Sequence, residues 1–310
     1  MSWGRMGGRR AIGIAVAATM AAMAVGALSW QARESQASAG LQASSRAEQP
    51  QDGGQTMGAA KAASLAGLEA AHQLERGVAV PAAGRAFVIR RGHERWPPGD
   101  ALTFVRTLLP ATARGEADAT YRIYLVVDAC DSAMKTDVVG SYQQLRHIVP
   151  DHLQQTATRM AECEPLLMDP SIKPRGEWLS LAAEQGSIEA AVVYSLALEQ
   201  VVGGPEQWLK YPEKVLRHRR RAMDYLHRAV ALGSVDAMSQ LSDIHSHGFY
   251  GPADPTKAVA YQSVVARVDP HPANKRILDR RTAEATSDQE RDAKLLEEEI
   301  YQQCCLVQHK

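Results

Sequence analysis

The sequence predicts an all-α protein: a short α-solenoid of helix–turn–helix hairpins behind an amino-terminal transmembrane helix and a flexible linker. Three observations predict it. A glycine-centred pattern recurs along the second half of the chain. Apolar residues are 45% of the 310 but aromatics only 5%, with three Phe, so much of the apolar fraction is Ala. Alanine suits close helix–helix contact better than a thick β-sandwich core. The third observation is that Ala11–Ala32 carries no charged side chain.

Taken in chain order, residues 1–10 form a basic tail with Arg5, Arg9 and Arg10. Residues 11–30 follow as a signal-anchor. A cleavable signal has an apolar core of about 7–15 residues and a spanning helix needs about 20, and this stretch reaches the longer figure. The arginines would stay cytoplasmic, placing the body outside. Cleavage as a signal peptide is the alternative, although Ala37-Ser38-Ala39 lies far beyond the end of the apolar run at Leu28. The expected location is the cell inner membrane, single-pass, with the body in the periplasm, or a soluble periplasmic or secreted protein if the signal is cut.

Residues 31–57 are rich in Gln, Ser, Ala and Gly and cannot bury enough surface to offset their ordering entropy, so they read as a disordered tether. Residues 58–99 read as partly ordered, with a helix over Lys61–Arg76 and a short strand at Ala86–Ile89. The repeat domain is expected over 100–285, and a capping helix with a tail over 286–310. That last helix should open at Ser287, whose Glu290 completes a capping box. It should then cover the last hairpin with Leu295, Leu296 and Ile300.

The repeat carries most of the information. Leu179–Ala190 aligns without a gap on Leu226–Ala237, an offset of 47 residues between Gly186 and Gly233. Trp178 and Tyr225 precede the segments. Ala182 and Ala229 stand four residues before the glycines, and Ala190 and Ala237 four after. A weaker copy surrounds Gly115, and another begins at Asp254 and puts Asp269 in the glycine slot. Glycine takes the left-handed conformation that ends one helix and admits a tight turn into the next. Small residues let the paired helices approach, and the aromatic fills the gap to the next hairpin. One hairpin cannot bury its apolar face alone, so three or four must stack.

At Leu181-Ala-Ala-Glu-Gln-Gly186 and Asp254-x-x-Lys257-Ala258-x-x-Tyr261 the chain resembles the Sel1-like repeat family, relatives of tetratricopeptide repeats. Leu241, His245 and Gly248 fall on that family's Leu, Tyr and first Gly slots. The loop Val201–Glu213 is longer than the family's. The resemblance implies a non-catalytic scaffold, commonly exported, that holds another protein or an extended peptide on a concave face, here built from the second helix of each hairpin.

Cys130 and Cys163 fall on two predicted helices, the second running from near Asp151 to Cys163, and form a disulfide candidate in an oxidising compartment. Adjacent Cys304 and Cys305 bridge each other only with backbone distortion. They are left open between bonding a partner, bonding a second copy, displacing the first pairing and having no function. Lys+Arg and Asp+Glu are 35 each, and this balance argues against a nucleic-acid partner. No cofactor and no metal are expected. His245-x-His247 lacks further zinc ligands, and His245 reads as packing. Ser132-Ala-Met-Lys135 matches a serine–lysine motif but lacks its companion motifs. Asp128 and Asp131 read as surface charges, and Arg217–Arg221 as a solvated basic face that could also meet an acidic partner or lipid headgroups. An envelope hydrolase or metal-dependent enzyme using His245, His247 or Ser132 is the alternative class, and a polysaccharide-binding module is a third.

Overall fold

A computed structural model describes residues 64–92, 96–135 and 151–306. The basic tail, the predicted span 11–30 and the linker 31–57 lie outside the described residues. Among the described residues no helix is long and apolar enough to cross a membrane.

The chain enters with α1 (Leu65–Ala70) and an antiparallel pair, β1 (Ala79–Pro81) and β2 (Phe87–Ile89), in which Val80 faces Val88. Twelve of the thirteen described helices then follow from α2 (Ala101–Ala113) and α3 (Ala117–Lys135) to α12 and α13, with α4 (His152–Met168) between the first and second hairpins. The second hairpin is α5 (Arg175–Gln185) and α6 (Ile188–Leu196). Two short helices, α7 (Leu198–Val202) and α8 (Pro205–Lys210), fill the long loop after it. The third hairpin is α9 (Pro212–Ala231) and α10 (Val235–His247). The fourth is α11 (Pro255–Val268) and α12 (Pro272–Glu284), with α13 (Ser287–Cys304) behind it.

Stacking is sequential: α3 packs on α5, α6 on α9, and α10 on α11, which in turn carries α13. This is an α-solenoid of four hairpins. Gly115, Gly186 and Gly233 end their first helices at φ +87°, +100° and +98°, and Gly248 ends α10 at +66°. Ser187 and Ser234 then accept from the amides of Ala190 and Ala237, so Gly186 and Gly233 are each followed by a hydroxyl cap that starts the second helix. Asp269 does not reproduce this turn. Its φ is −129°, and the turn is held by Asn274, whose side-chain amide donates to the Asp269 carbonyl and carboxylate at 2.9 and 3.0 Å.

Several expectations are corrected. The second cysteine helix does not end at Cys163 but continues to Met168 through Pro165, because Leu166 is fully buried. The last helix is capped by Thr286 with Gln289, one residue before the expected serine. Its buried stripe is Ala293, Ile300 and Cys304, with Leu296 partly buried. Leu295 falls off that helical spacing and is exposed. Among the described residues the predicted helix over Lys61–Arg76 is α1, and the segment before residue 100 is not peripheral: Leu68, Leu74 and Phe87 belong to the same continuous core as the hairpins.

Candidate functional site: the strap across the hairpin turns

Residues 64–92 lie as a strap along the turn ends of all four hairpins. The His72 carbonyl accepts from the Asp118 amide at 2.9 Å, and the Gln73 carbonyl from the Ile188 amide at 3.0 Å. Farther along, the Phe87 amide donates to the Gly233 carbonyl at 3.0 Å and Ile89 to the Asp236 carboxylate at 2.8 Å. The Ala83 amide reaches the Val268 carbonyl at 3.1 Å. Helix ends leave backbone groups without intrahelical partners, and the strap supplies partners to each turn in succession. Burial nonetheless pushes the Asp236 carboxyl up, against the lowering effect of the Ile89 amide.

The strap is also fixed by charge. Arg91 donates to both oxygens of Glu189 at 2.7 and 2.6 Å and to Glu75 at 2.6 Å, while its guanidinium lies 5.7 Å from the Tyr121 ring centroid. Glu75 also meets Arg122 of α3 at 3.5 Å. Glu189 belongs to α6, so one guanidinium ties the strap to the second hairpin and stacks on the first.

At the far end the carboxy terminus docks on the same strap. The Arg85 amide donates to the Cys305 carbonyl at 2.9 Å, and the Arg85 side chain donates to the carbonyls of Gln303 and Cys304 at 2.8 and 3.0 Å. Gly84 has φ +64°, and a β-carbon there would stand 2.0 Å from the Cys305 carbonyl oxygen, so only glycine admits this contact. Cys304 and Cys305 are bonded to each other, S–S 1.99 Å, and both are fully buried. Neighbours are expected to bridge only with backbone distortion, and the pairing is made where the helix stops: α13 ends at Cys304 and Cys305 has left the helical conformation, which lets the two side chains meet.

The remaining sequence-identified residues fall as follows. Cys130 and Cys163 form a disulfide, S–S 2.09 Å, joining α3 to α4. Trp178, Ala182, Ala190, Tyr225, Ala229, Ala237, Ala258 and Tyr261 are all buried in the hairpin contacts. His245 stacks on Tyr261 with centroids 6.0 Å apart, whereas His247 turns away and stacks on Phe249 at 5.1 Å, so the pair does not converge. Lys135 is held by Asp131 at 2.8 Å. Asp128 and Asp131 receive Arg175 of α5 at 2.8 and 3.2 Å, so these two carboxylates join hairpins and are not merely surface charges. Within the basic run His218 is the exception, being 2% exposed. Its Nε2–H donates to the Tyr194 carbonyl at 3.0 Å, its ring stacks on Tyr194, and burial holds its pKa below the ordinary value.

Sequence reasoning missed the strap and one cluster on it. His72 Nδ1 stands 3.3 Å from Asp118 and 3.7 Å from Glu116. These three are the one group among the described residues with ligand atoms close enough for a metal. The electrostatics favour another role. Arg114 already holds Glu116 at 2.7 Å, and both carboxylates sit at the start of α3, where the helix amides favour negative charge and oppose a cation.

No family model matches the chain, and no curated protein does. Among solved structures it is similar to a protective antigen of uropathogenic Escherichia coli strains described as displaying an SLR fold. Identity there is 16%, coverage is 66% of this chain and 42% of the antigen, and the TM-score is 0.36. The chain thus spans under half the length of that protein.

Proposed function

We propose that this chain is a non-catalytic Sel1-like scaffold, tethered to the inner membrane through residues 11–30 with its body in the periplasm, and that it holds another protein or an extended peptide. The observation that carries the reading is the stack of four hairpins. Three of them turn on glycine and small-residue slots of the Sel1-like pattern, and the strap fastens all four into one surface. The half-buried outward positions of the second helices, such as Val193 and Gln240, are the groups open to a partner, while Arg122 is shared with Glu75 and the Phe104 ring. Export is supported by the cysteines, all four of which are paired, as suits an oxidising compartment. Non-catalysis is supported by the scattering of the candidate groups: His245 and His247 pack on different rings, and Lys135 is taken by a carboxylate.

The test is photo-crosslinking in intact cells from positions 193 and 240, with protease accessibility of the tagged protein in spheroplasts. A discrete adduct from neighbouring positions and digestion from outside support the proposal. Protection of the body from protease in spheroplasts ends the periplasmic reading. Hydrolysis of a cell-wall substrate by the purified chain, with no adduct from any position, ends the scaffold reading.

A further inference from the structure

The two ends of α9 differ in kind. Its carboxy-terminal end turns at Gly233 beneath the strap, and its 20 residues carry its other end about 30 Å away. At that remote end four large aliphatic or aromatic side chains face solvent: Leu196 at 68%, Leu209 at 87%, Leu216 at 56% and Phe249 at 56%. They belong to one rim. The Tyr250 hydroxyl donates to the Ser195 carbonyl, which sets Phe249 beside the end of α6, and the His218 bond to Tyr194 sets the start of α9 there too. Lys210 and Lys214 both lie over the Tyr211 ring, 5.2 and 4.3 Å from its centroid, between Leu209 and Leu216.

Over residues 205–220 this rim carries more cations than carboxylates: Lys210, Lys214, Arg217, Arg219 and Arg220 against Glu206 and Glu213. Several arginines elsewhere are matched: Arg91 by Glu75 and Glu189, Arg175 by Asp128 and Asp131, Arg267 by Glu298, and Arg281 by Asp243. At the rim Lys210, Lys214, Arg217, Arg219 and Arg220 have no carboxylate among the described residues within ion-pair distance, and Leu216, Arg217 and Arg220 share one exposed helix face.

We infer that this rim is a docking surface for an anionic lipid bilayer. Exposed alkyl side chains beside unpaired cations match an anionic headgroup layer, which takes leucines about 5–10 Å into its acyl boundary and neutralises Lys and Arg with phosphates. A nucleic acid would leave the leucines in water, since its single strands are held by stacking on aromatic rings. The inference stands apart from the scaffold reading because it uses a different edge of the molecule and different residues.

The test is hydrogen–deuterium exchange of the full chain reconstituted in bilayers of phosphatidylcholine alone or with phosphatidylglycerol, followed in peptides covering residues 205–220. Amides there should exchange about tenfold more slowly only in the anionic bilayer, because each Lys or Arg near such a surface gains about fivefold in binding. The double variant Arg217→Glu, Arg220→Glu should return them to the phosphatidylcholine rate, while peptides covering 222–231 exchange as before and report an intact α9. Equal rates in the two bilayers would overturn the inference and leave the rim to an acidic protein partner. Slowing that survives the double charge reversal would overturn it as well.

Discussion

Arg91 and Glu189 form a forked ion pair across two parts of the chain that are 98 residues apart, both oxygens of the carboxylate being taken at 2.7 and 2.6 Å. The Glu189 side chain is 4% exposed, so without the arginine it would be a buried charge. Glu75 and the Tyr121 ring complete the surroundings of the guanidinium.

Breaking this pair from one side should therefore cost more than removing it whole. Arg91→Met is expected to lose about 2–4 kcal/mol in urea unfolding, because the buried Glu189 carboxylate loses its forked guanidinium partner. Adding Glu189→Leu should recover part of that loss. A double variant less stable than Arg91→Met would show that the pair contributes little beyond its parts.

Gly115 and Gly233 make the same left-handed turn in different surroundings. A β-carbon at Gly115 meets nothing within 4 Å, whereas at Gly233 it would lie 2.7 Å from the Arg85 carbonyl oxygen. Gly115→Ala should cost about 1–2 kcal/mol, from backbone conformation alone. Gly233→Ala carries the same backbone cost and displaces the strap in addition, so its thermal midpoint should fall further. Equal midpoints would argue that the strap yields freely at that turn.

The Cys130–Cys163 bridge closes a separation of 33 residues. Loop-closure entropy assigns such a bridge about 3–4 kcal/mol. Cys130→Ala with Cys163→Ala should lower the unfolding free energy by that amount and steepen the urea transition, because the denatured chain without the cross-link exposes more surface. An unchanged free energy would show that the bridge does not act through loop closure.

His218, His227 and His245 are each held below the ordinary histidine pKa, chiefly by burial. The sign follows from linkage. The unfolded chain binds their protons more readily, so their contribution is complete above the unfolded value of about 6.5 and is lost as pH falls toward the lower folded values. Unfolding free energy should drop between about pH 7 and 5, and His218→Gln should flatten that slope. An unchanged slope would assign the loss to other groups.

What was legible in the sequence follows from which atoms make each contact. The turns at Gly186 and Gly233 demand a residue without a β-carbon followed by a serine cap, and both demands leave their mark on residue identity. The Cys130–Cys163 pairing was legible for the same reason. The strap was not. It binds largely through the backbone of His72, Gln73, Ala83 and Phe87, and any residue presents those groups. Arg91 and Glu189 do carry the site in their side chains, but they are far apart in the chain and each alone resembles a surface charge. The turn at Asp269 substitutes an Asn–Asp network for a glycine, so the slot was visible while its geometry was not.

The strap also sets an order of events. Ala83 and Arg85 are made early, yet their partners are Val268 and the carbonyls of residues 303–305. At about 5–20 residues per second, the ribosome needs roughly 10–45 s more to pass from Arg85 to Cys305. Each hairpin can close on local contacts as it emerges, but this fastening must wait for the last residues. Folding is therefore expected to finish in a late step with high contact order, slower than the helical content suggests. Until then the strap is held only at the first three turns, its Ala83 and Arg85 contacts stand open, and the newly made chain is most exposed to protease there in that interval.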